Sequence, residues 1–334
     1  MKLTSIREEA GSSGWLVTVS MLVLILTAVF MSIPAFAATT KQKTFTSPEK
    51  AVQALVNSLK TADKASLKSI FGPGSEKLVS SGDPANDRLI RERFLSAYDE
   101  MQRLNREGKR KAVLVIGKNE WPFPIPLVMK DKRWRFDTKA GMQEIINRRI
   151  GANELDTIQT CLAFIDAQQE YAMKDYDGNG LLEYADRFRS DPGKKNGLYW
   201  ETAEGEDPSP LGELFAKARS EGYAEKKSGE GPSPYHGYFY RILTAQGEHA
   251  NGGAYDYLVN GRLIGGVALI AYPAHYGASG VMTFIVNHDG VVYQKDLGRK
   301  TVEAARAIKA FDPGPGWKKV EALAAQQSFE MKGS

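Results

Sequence analysis

Cysteine and histidine are scarce in this sequence, which has one cysteine and four histidines among 334 residues. A single cysteine, Cys161, excludes an internal disulfide and any metal site built from several cysteines. Its neighbours include Ile158 and Leu162, which predicts a buried thiol in a helix and not a reactive one. The histidines are His236, His249, His275 and His288. No two of them have the spacing that places zinc ligands on one helix face, so the sequence predicts no zinc site.

Neither sign of charge is in large excess. Lys and Arg total 44, Asp and Glu total 40, and the formal net charge is +4. This balance lacks the basic surplus that attracts polyanions, so no nucleic-acid partner is expected. With 42% hydrophobic and 25% charged residues the composition is that of a folded body. Some three hundred residues after the leader exceed the usual size of one domain, which predicts two.

Catalytic motifs are also missing. Ser279 lies near His275, but the Gly-x-Ser-x-Gly elbow of a serine nucleophile is absent, and a glycine-rich bend explains the segment better. The glycines of Gly261–Gly266 lack the strand–turn–helix context of a phosphate-binding loop. The sequence therefore predicts no catalytic residue and names no reaction.

Only one apolar run, Trp15–Ile33, approaches the length that crosses a bilayer. Pro34 ends it, and Ala35–Ala37 follows with the small-any-small pattern that signal peptidase accepts. Residues 1–37 are thus predicted to be a signal peptide, with Ala38 as the new N-terminus. The alternative is an uncleaved anchor. Both interpretations place the rest of the chain outside the cytoplasm, in the periplasm or secreted, and cleavage would leave no membrane contact.

The remaining chain is predicted to fold as α+β. Residues 38–46 are typical of a polar linker, and residues 47–150 of a domain with N-terminal helices and a curved antiparallel sheet. Ser47 and Pro48 are the cap and first-turn residues of its first helix. Further helices are predicted at 64–71 and 86–105, and strands at 111–116, 125–129 and 133–137.

The second predicted domain spans residues 151–334. A long helix over 153–173 is expected to pack on a small antiparallel sheet with strands at 238–244, 263–272, 282–287 and 291–296. Between them, residues 191–235 are rich in Gly, Pro, Lys and Glu. That composition predicts a long surface excursion with one short helix at 211–218.

The segment Asp175–Asp186 matches a calcium-binding loop position by position. The predicted ligands are Asp175, Asp177, Asn179, the carbonyl of Leu181, Glu183 and Asp186. Gly180 occupies the sixth place, where the backbone must turn sharply, and a hard cation needs such converging oxygens. The cofactor this pattern predicts is calcium in a structural role.

Two features keep another interpretation of this loop open. Asp186 occupies the twelfth place, where the longer Glu gives bidentate coordination. Asp191–Gly193 then breaks the chain, so a second helix and a paired EF-hand are not expected. The alternative is an acidic turn that ends the preceding helix, with Asn179 and Gly180 as turn residues.

Several segments together resemble an uncharacterised family of bacterial exported proteins, known as a domain of unknown function. They are Trp121–Leu127, Trp134–Asp137, Arg148–Glu154, Gly237–Tyr240, Tyr276–Gly280 and Asp289–Tyr293. The resemblance covers nearly the whole chain after the leader. It implies a periplasmic or outer-surface location and no particular reaction.

Two further resemblances concern layout. The first predicted domain resembles the ketosteroid-isomerase cone fold, which hosts enzymes and inert modules alike. The second resembles the globular part of pilins and pseudopilins. Three functions stay open: a non-catalytic module that binds an envelope protein or surface polymer, a hydrolase using the cone pocket, and a subunit of a pilin-like assembly. For the hydrolase, the nearest candidate acids are Asp137, Glu154 and Asp156.

Overall fold

The computed structural model describes residues 41–176, 178–203, 205–223 and 232–321. The predicted signal peptide lies outside the described residues. Within the predicted linker, Gln42 Nε2 donates to the carbonyls of Ile70 and Phe136, and Phe45 is buried beside Trp134. Residues 42–45 therefore pack on the first half of the fold.

The first half combines four helices with one antiparallel sheet. The helices are α1 (Pro48–Lys60), α2 (Lys64–Phe71), α3 (Glu76–Val79) and α4 (Pro84–Glu100). The strands are β1 (Gln102–Glu107), β2 (Lys111–Ile116), β3 (Trp121–Pro122), β4 (Leu127–Lys130) and β5 (Arg133–Phe136). They pair in the order β1-β2-β4-β5, with β3 on β2. Trp134 and Phe136 are buried against the helices, as predicted.

The predicted start of α1 is confirmed. Ser47 Oγ accepts a hydrogen bond from the Lys50 amide at 3.2 Å, and Pro48 occupies the first turn. Ser47 accepts from one of the free backbone amides of the first turn, and Pro48 has no amide hydrogen to satisfy, so the helix start is stabilised by local contacts alone. Such an end can be recognised without knowledge of the rest of the fold.

The predicted helix over 86–105 is wrong at its C-terminal end. α4 stops at Glu100, and Gln102–Glu107 pairs antiparallel with β2. Gly108, at a φ of +67°, lies in the turn between β1 and β2. Nearly every side chain of β1 is exposed, so its composition carries no strand periodicity, and the partner strand decides its structure.

The long helix α5 begins earlier than predicted. It runs from Thr138 to Tyr171, 34 residues, through the predicted domain boundary at residue 150. Its side chains up to Ile145 pack on the first hydrophobic core, and those from Ile158 belong to the second. Cys161 is fully buried in this helix, and burial raises the pKa of its thiol to about 12. The predicted buried thiol is confirmed.

The second half is built on an antiparallel sheet in the order β14-β13-β12-β11-β6. These strands are β6 (Tyr238–Leu243), β11 (Ala268–Pro273), β12 (Met282–Asn287), β13 (Tyr293–Asp296) and β14 (Lys318–Lys319). Two small hairpin sheets use β7 (Ala245–Gln246), β8 (Tyr255–Asp256), β9 (Leu258–Val259) and β10 (Arg262–Leu263). All six residues of β11 are buried, and α5 and α7 (Thr301–Ala307) pack on the sheet. The predicted α+β class is confirmed.

The predicted surface excursion is wrong in part. It contains α6 (Gly212–Ser220), close to the predicted short helix. However, Leu198, Tyr199, Trp200 and Leu211 are buried in the second core. Few apolar residues occur in this segment, and tertiary packing nevertheless buries them. No helix in the described part of the chain is long and apolar enough to cross a membrane.

Candidate functional site

A cavity of about 470 Å³ lies in the first half of the fold. Its deeper wall consists of apolar side chains from α1, α2, β2 and the segment after β3. Leu55, Leu67, Phe71, Ile116 and Phe123 line it and are all buried. The volume falls within the range of roughly 300–1,000 Å³ that small-molecule sites occupy.

Helix α4 supplies another wall of the cavity. Ile90, Phe94 and Ala97 line it, and each is only half-buried. Asn86 is the one buried residue among the 17 of α4. A surface helix usually buries an apolar stripe in the core. Here part of that stripe borders the empty volume instead.

The charged groups that line the cavity are mostly cations. They are Lys64, Arg91, Arg93, Arg148 and Arg149, against one acid, Asp87. Asp87 is held by serines: Ser81 Oγ donates to its Oδ1 at 2.7 Å and Ser80 Oγ to its Oδ2 at 3.0 Å. The cavity is therefore apolar inside and predominantly basic among its charged residues.

Arg149 is buried, with 8% of its surface exposed. Its Nη1 and Nη2 donate to the carbonyls of Lys77 and Leu78 at 2.7 and 2.8 Å. Its Nε is buried and has no hydrogen-bond partner among the described residues. Burial lowers the pKa of the guanidinium, and Asp87 opposes that shift. An arginine pKa starts so high that the side chain stays charged.

The three acids considered for a hydrolase do not meet in this cavity. Glu154 Oε1 accepts from the amides of Val281 and Met282 at 2.9 and 3.0 Å. Asp156 Oδ2 lies 3.2 Å from His236 Nδ1. Asp137 precedes α5, and none of the three is among the described residues that line the cavity. Glu154 thus holds a strand end in place, and no acid pair converges on the apolar volume.

The predicted serine bend is confirmed. Ser279 is fully buried, and its Oγ accepts from the His275 amide at 3.0 Å. It also donates to the His275 carbonyl at 3.3 Å. These bonds stabilise the turn, and the hydroxyl is not presented as a nucleophile.

The structure places the first half of the predicted calcium loop around Asp175. Its Oδ1 accepts from the amides of Gly178 and Asn179 at 2.8 and 3.2 Å, and its Oδ2 accepts from Gly180 at 2.8 Å. Gly180 has a φ of +82°, so the sharp turn is formed there. Asn179 Oδ1 accepts from the Leu181 amide at 2.8 Å. The curled backbone of such a loop is therefore present.

The last two acidic positions of the loop are paired with arginines. Glu183 Oε1 lies 2.6 Å from Arg262 Nη1, and Asp186 Oδ1 lies 2.7 Å from Arg187 Nε. Among the described residues, no three acidic, histidine or cysteine side chains form a group able to hold a metal ion. Asp177 lies outside the described residues. The calcium site stays a prediction.

Calcium at about 1 mM is expected to raise the Tm, because a cation that binds only the folded state stabilises it. Dissociation constants near 10⁻⁴ to 10⁻³ M, typical of extracellular modules, are sufficient. The double variant Asp175→Ala with Asp177→Ala should lose this response. The measurement is the difference in Tm between calcium and chelator for each protein. The same rise in the variant as in the wild type would exclude the site.

Asp83 is a buried residue that the sequence analysis did not single out. Its Oδ1 accepts from the amides of Ala85 and Asn86, each at 3.1 Å, and caps α4. Its Oδ2 accepts from the Gly237 amide at 2.7 Å and from Tyr223 Oη at 2.9 Å. The cap was recognisable, because Asp followed by Pro is a helix-start pattern. The distant partners were not.

One family model matches this chain, over residues 42–320. No curated protein matches it. No solved structure matches it either, so the resemblances to the ketosteroid-isomerase cone and to pilins stay predictions. The matched range spans both hydrophobic cores and the cavity. The chain therefore belongs to the family described as "Protein of unknown function (DUF2950)".

Proposed function

We propose that this protein is an exported, non-catalytic binding module whose cavity holds a hydrophobic small molecule. The observation that supports it best is the cavity of about 470 Å³ between α4 and the first core. Burial of apolar surface stabilises a complex by roughly 25 cal/mol per Å² before the costs of association are subtracted. A preformed apolar cavity favours binding because few side chains must be ordered.

The lining favours binding over catalysis. General acid–base chemistry requires a titratable group placed to exchange a proton with the substrate. The acid that lines the cavity, Asp87, already accepts hydrogen bonds from Ser80 and Ser81. The cationic lining groups are lysine and arginines, and arginine does not release its proton at physiological pH.

The sequence predicts an envelope protein or surface polymer as the partner, and the cavity favours a smaller ligand. Polymer and protein partners are usually bound on extended surfaces, whereas deep apolar volumes enclose most of a small molecule. Calcium, if bound at Asp175–Asp186, has a structural role in this proposal. It would join the end of α5 to the small sheet at Arg262, whose side chain already contacts Glu183.

Filling the cavity should abolish binding of a hydrophobic fluorescent probe. Ile90→Trp adds an indole to the cavity wall on α4, and we expect the affinity for the probe to fall at least about tenfold, equivalent to 1.4 kcal/mol. Leu89→Trp is the matched control, since Leu89 is a half-buried neighbour on the same helix that is not among the described lining residues. Titration of the probe against both variants measures the difference. Unchanged affinity in Ile90→Trp would disprove the proposed function.

Export is the second part of the proposal and rests on the leader pattern of residues 1–37. Expressed in a bacterial host, the full chain is expected in the periplasm or medium with Ala38 as its first residue. Intact mass measurement of the recovered protein identifies that terminus. Recovery of the full-length chain from the cytosol would contradict export, and a full-length chain in the membrane fraction would support the anchor alternative.

A further inference from the structure

We infer that the ligand of the cavity is a single-chain amphiphile with an anionic head group. This inference rests on the proposed function and specifies its ligand class. It follows from the separation of apolar and charged groups along the cavity wall, from lining cations that form no ion pair with a described residue, and from the cavity volume.

The cavity is asymmetric from inside to outside. Leu55, Phe71 and Ile116 line its inner part and are buried. Lys64, Arg93 and Arg148 also line it and are exposed, which places them where the cavity meets solvent. An elongated molecule with one apolar and one charged end matches this arrangement. A uniformly apolar molecule would leave Lys64 and Arg93 without an anionic partner.

The sign of the head group follows from the charges at the opening. Lys64 and, on α4, Arg91 and Arg93 form no ion pair with a described residue. Arg148 already forms an ion pair with Glu144, with 2.7 Å between Nε and Oε1. Three cations thus remain uncompensated beside an apolar volume, where an anion is attracted more strongly than in open solvent. A cationic head group would be repelled.

Arg149 also lines the cavity and adds a fixed positive charge, although its nitrogens are not free to contact a ligand. Its two terminal nitrogens are occupied by backbone carbonyls, and its Nε has no partner among the described residues. A buried donor without an acceptor costs free energy, and a charged one costs more. The Nε nitrogen has no solvent-accessible surface, so a ligand in the cavity does not reach it, and Arg149 acts on an anion only through its positive charge. A carboxylate and a phosphate both carry the negative charge that the lining cations attract, so the shared chemistry is an oxyanion.

The volume limits the apolar part to one chain. At about 30 Å³ for each water-sized group, 470 Å³ holds roughly sixteen such groups. A methylene is close to that size. A lipid with two long chains would exceed the cavity, while one acyl chain fits. We therefore expect affinity to rise about fourfold for each added methylene until the cavity is full.

The test compares ligands that share one chain length and differ in the head group. Isothermal titration uses an alkyl carboxylate, an alkyl phosphate, an alkyl alcohol and an alkyl trimethylammonium, all below their micellar concentrations. We expect the two anions to bind at least tenfold more tightly than the alcohol, and the cation to bind most weakly. The relative affinity of carboxylate and phosphate then distinguishes a fatty acid from a phospholipid-derived ligand.

Substitutions test whether the arginines on α4 are responsible for the preference for anions. The double variant Arg91→Gln with Arg93→Gln should weaken anion binding at least tenfold and leave alcohol binding within twofold. The matched control is Lys109→Gln with Arg110→Gln, which removes the same charge from the exposed β1–β2 turn, away from the cavity. The control should bind all four ligands like the wild type.

Each outcome has a distinct meaning. If the alcohol or the ammonium binds as tightly as the anions, or if both double variants weaken anion binding equally, the inference is overturned while the binding cavity stands. If none of the four ligands binds and Ile90→Trp does not affect the hydrophobic probe, the proposed function fails as well.

Discussion

Replacing Asp83 with alanine is expected to lower the free energy of unfolding by about 4 kcal/mol, because a buried carboxylate that accepts four hydrogen bonds is lost. Asp83 is 1% exposed. It caps α4 through the Ala85 and Asn86 amides and also accepts from Gly237 and Tyr223. The variant leaves the buried amides of Asn86 and Gly237 without this acceptor.

The expected loss is large because the contacts of Asp83 connect distant parts of the chain. Its cap contacts are within three residues, whereas Gly237 is 154 residues away. Burial, followed by the charge of Asp83, raises the pKa of Tyr223, so this tyrosine stays protonated and donates to Asp83 at neutral pH. Chemical unfolding with urea measures the change, provided that the transition is two-state.

Asp63→Ala is the matched control. Asp63 caps α2 through the Ser66 amide at 3.0 Å, but this residue is exposed and its hydrogen bonds reach only residues within five positions in the chain. Its loss should therefore cost much less stability than the loss of Asp83. Equal destabilisation by both substitutions would show that Asp83 acts only as a helix cap and that its contacts with Gly237 and Tyr223 contribute nothing.

Gly141→Ala is expected to lower the free energy of unfolding by about 3 kcal/mol, although alanine is the better helix former by about 1 kcal/mol. A Cβ at Gly141 would lie 2.0 Å from the Pro124 carbonyl oxygen and 2.2 Å from its carbon. Both are backbone atoms, so no side-chain rotation relieves the contact. α5 must shift away from the segment between β3 and β4, or the helix must distort.

Gly151→Ala, in the same helix, should instead raise the free energy of unfolding. A Cβ there meets no atom within 4 Å, and the residue has helical backbone geometry. We expect stabilisation by about 0.5–1 kcal/mol from the helix propensity alone. Thermal and urea unfolding of the two variants measure the contrast. If Gly141→Ala were also stabilising, the close packing of α5 on Pro124 would be refuted.

Elements with local signals could be predicted from the sequence. α2 occupies Lys64–Phe71, as its periodicity predicts, and β12 occupies Met282–Asn287. Caps, turn glycines and apolar spacing act over a few residues, so they can be interpreted without a partner. The curled backbone at Asp175–Gly180 belongs to the same class, since its hydrogen bonds span at most five residues.

The predictions that were wrong concern segments whose packing partners are far away in the sequence. Gln102–Glu107 has the composition of an exposed helix, and only pairing with β2 makes it a strand. Trp200 lies in a segment of turn-like composition and is buried only because the second core encloses it. Position in the sequence alone does not show whether acids meet in space, and Glu154 is an acceptor for two amides more than 120 residues away.

By itself the sequence determined the α+β class, the absence of disulfides, the leader pattern, several helix starts and the family resemblance, since each depends on composition or on residues close together in the chain. Only the tertiary structure decided the cavity. Its lining comes from residues as far apart as Leu55 and Ala152. The half-burial of α4 and the cationic opening of the cavity both depend on how several elements pack against one another. Binding volumes form where packed elements leave a gap, and a gap between elements has no signature in any one of them.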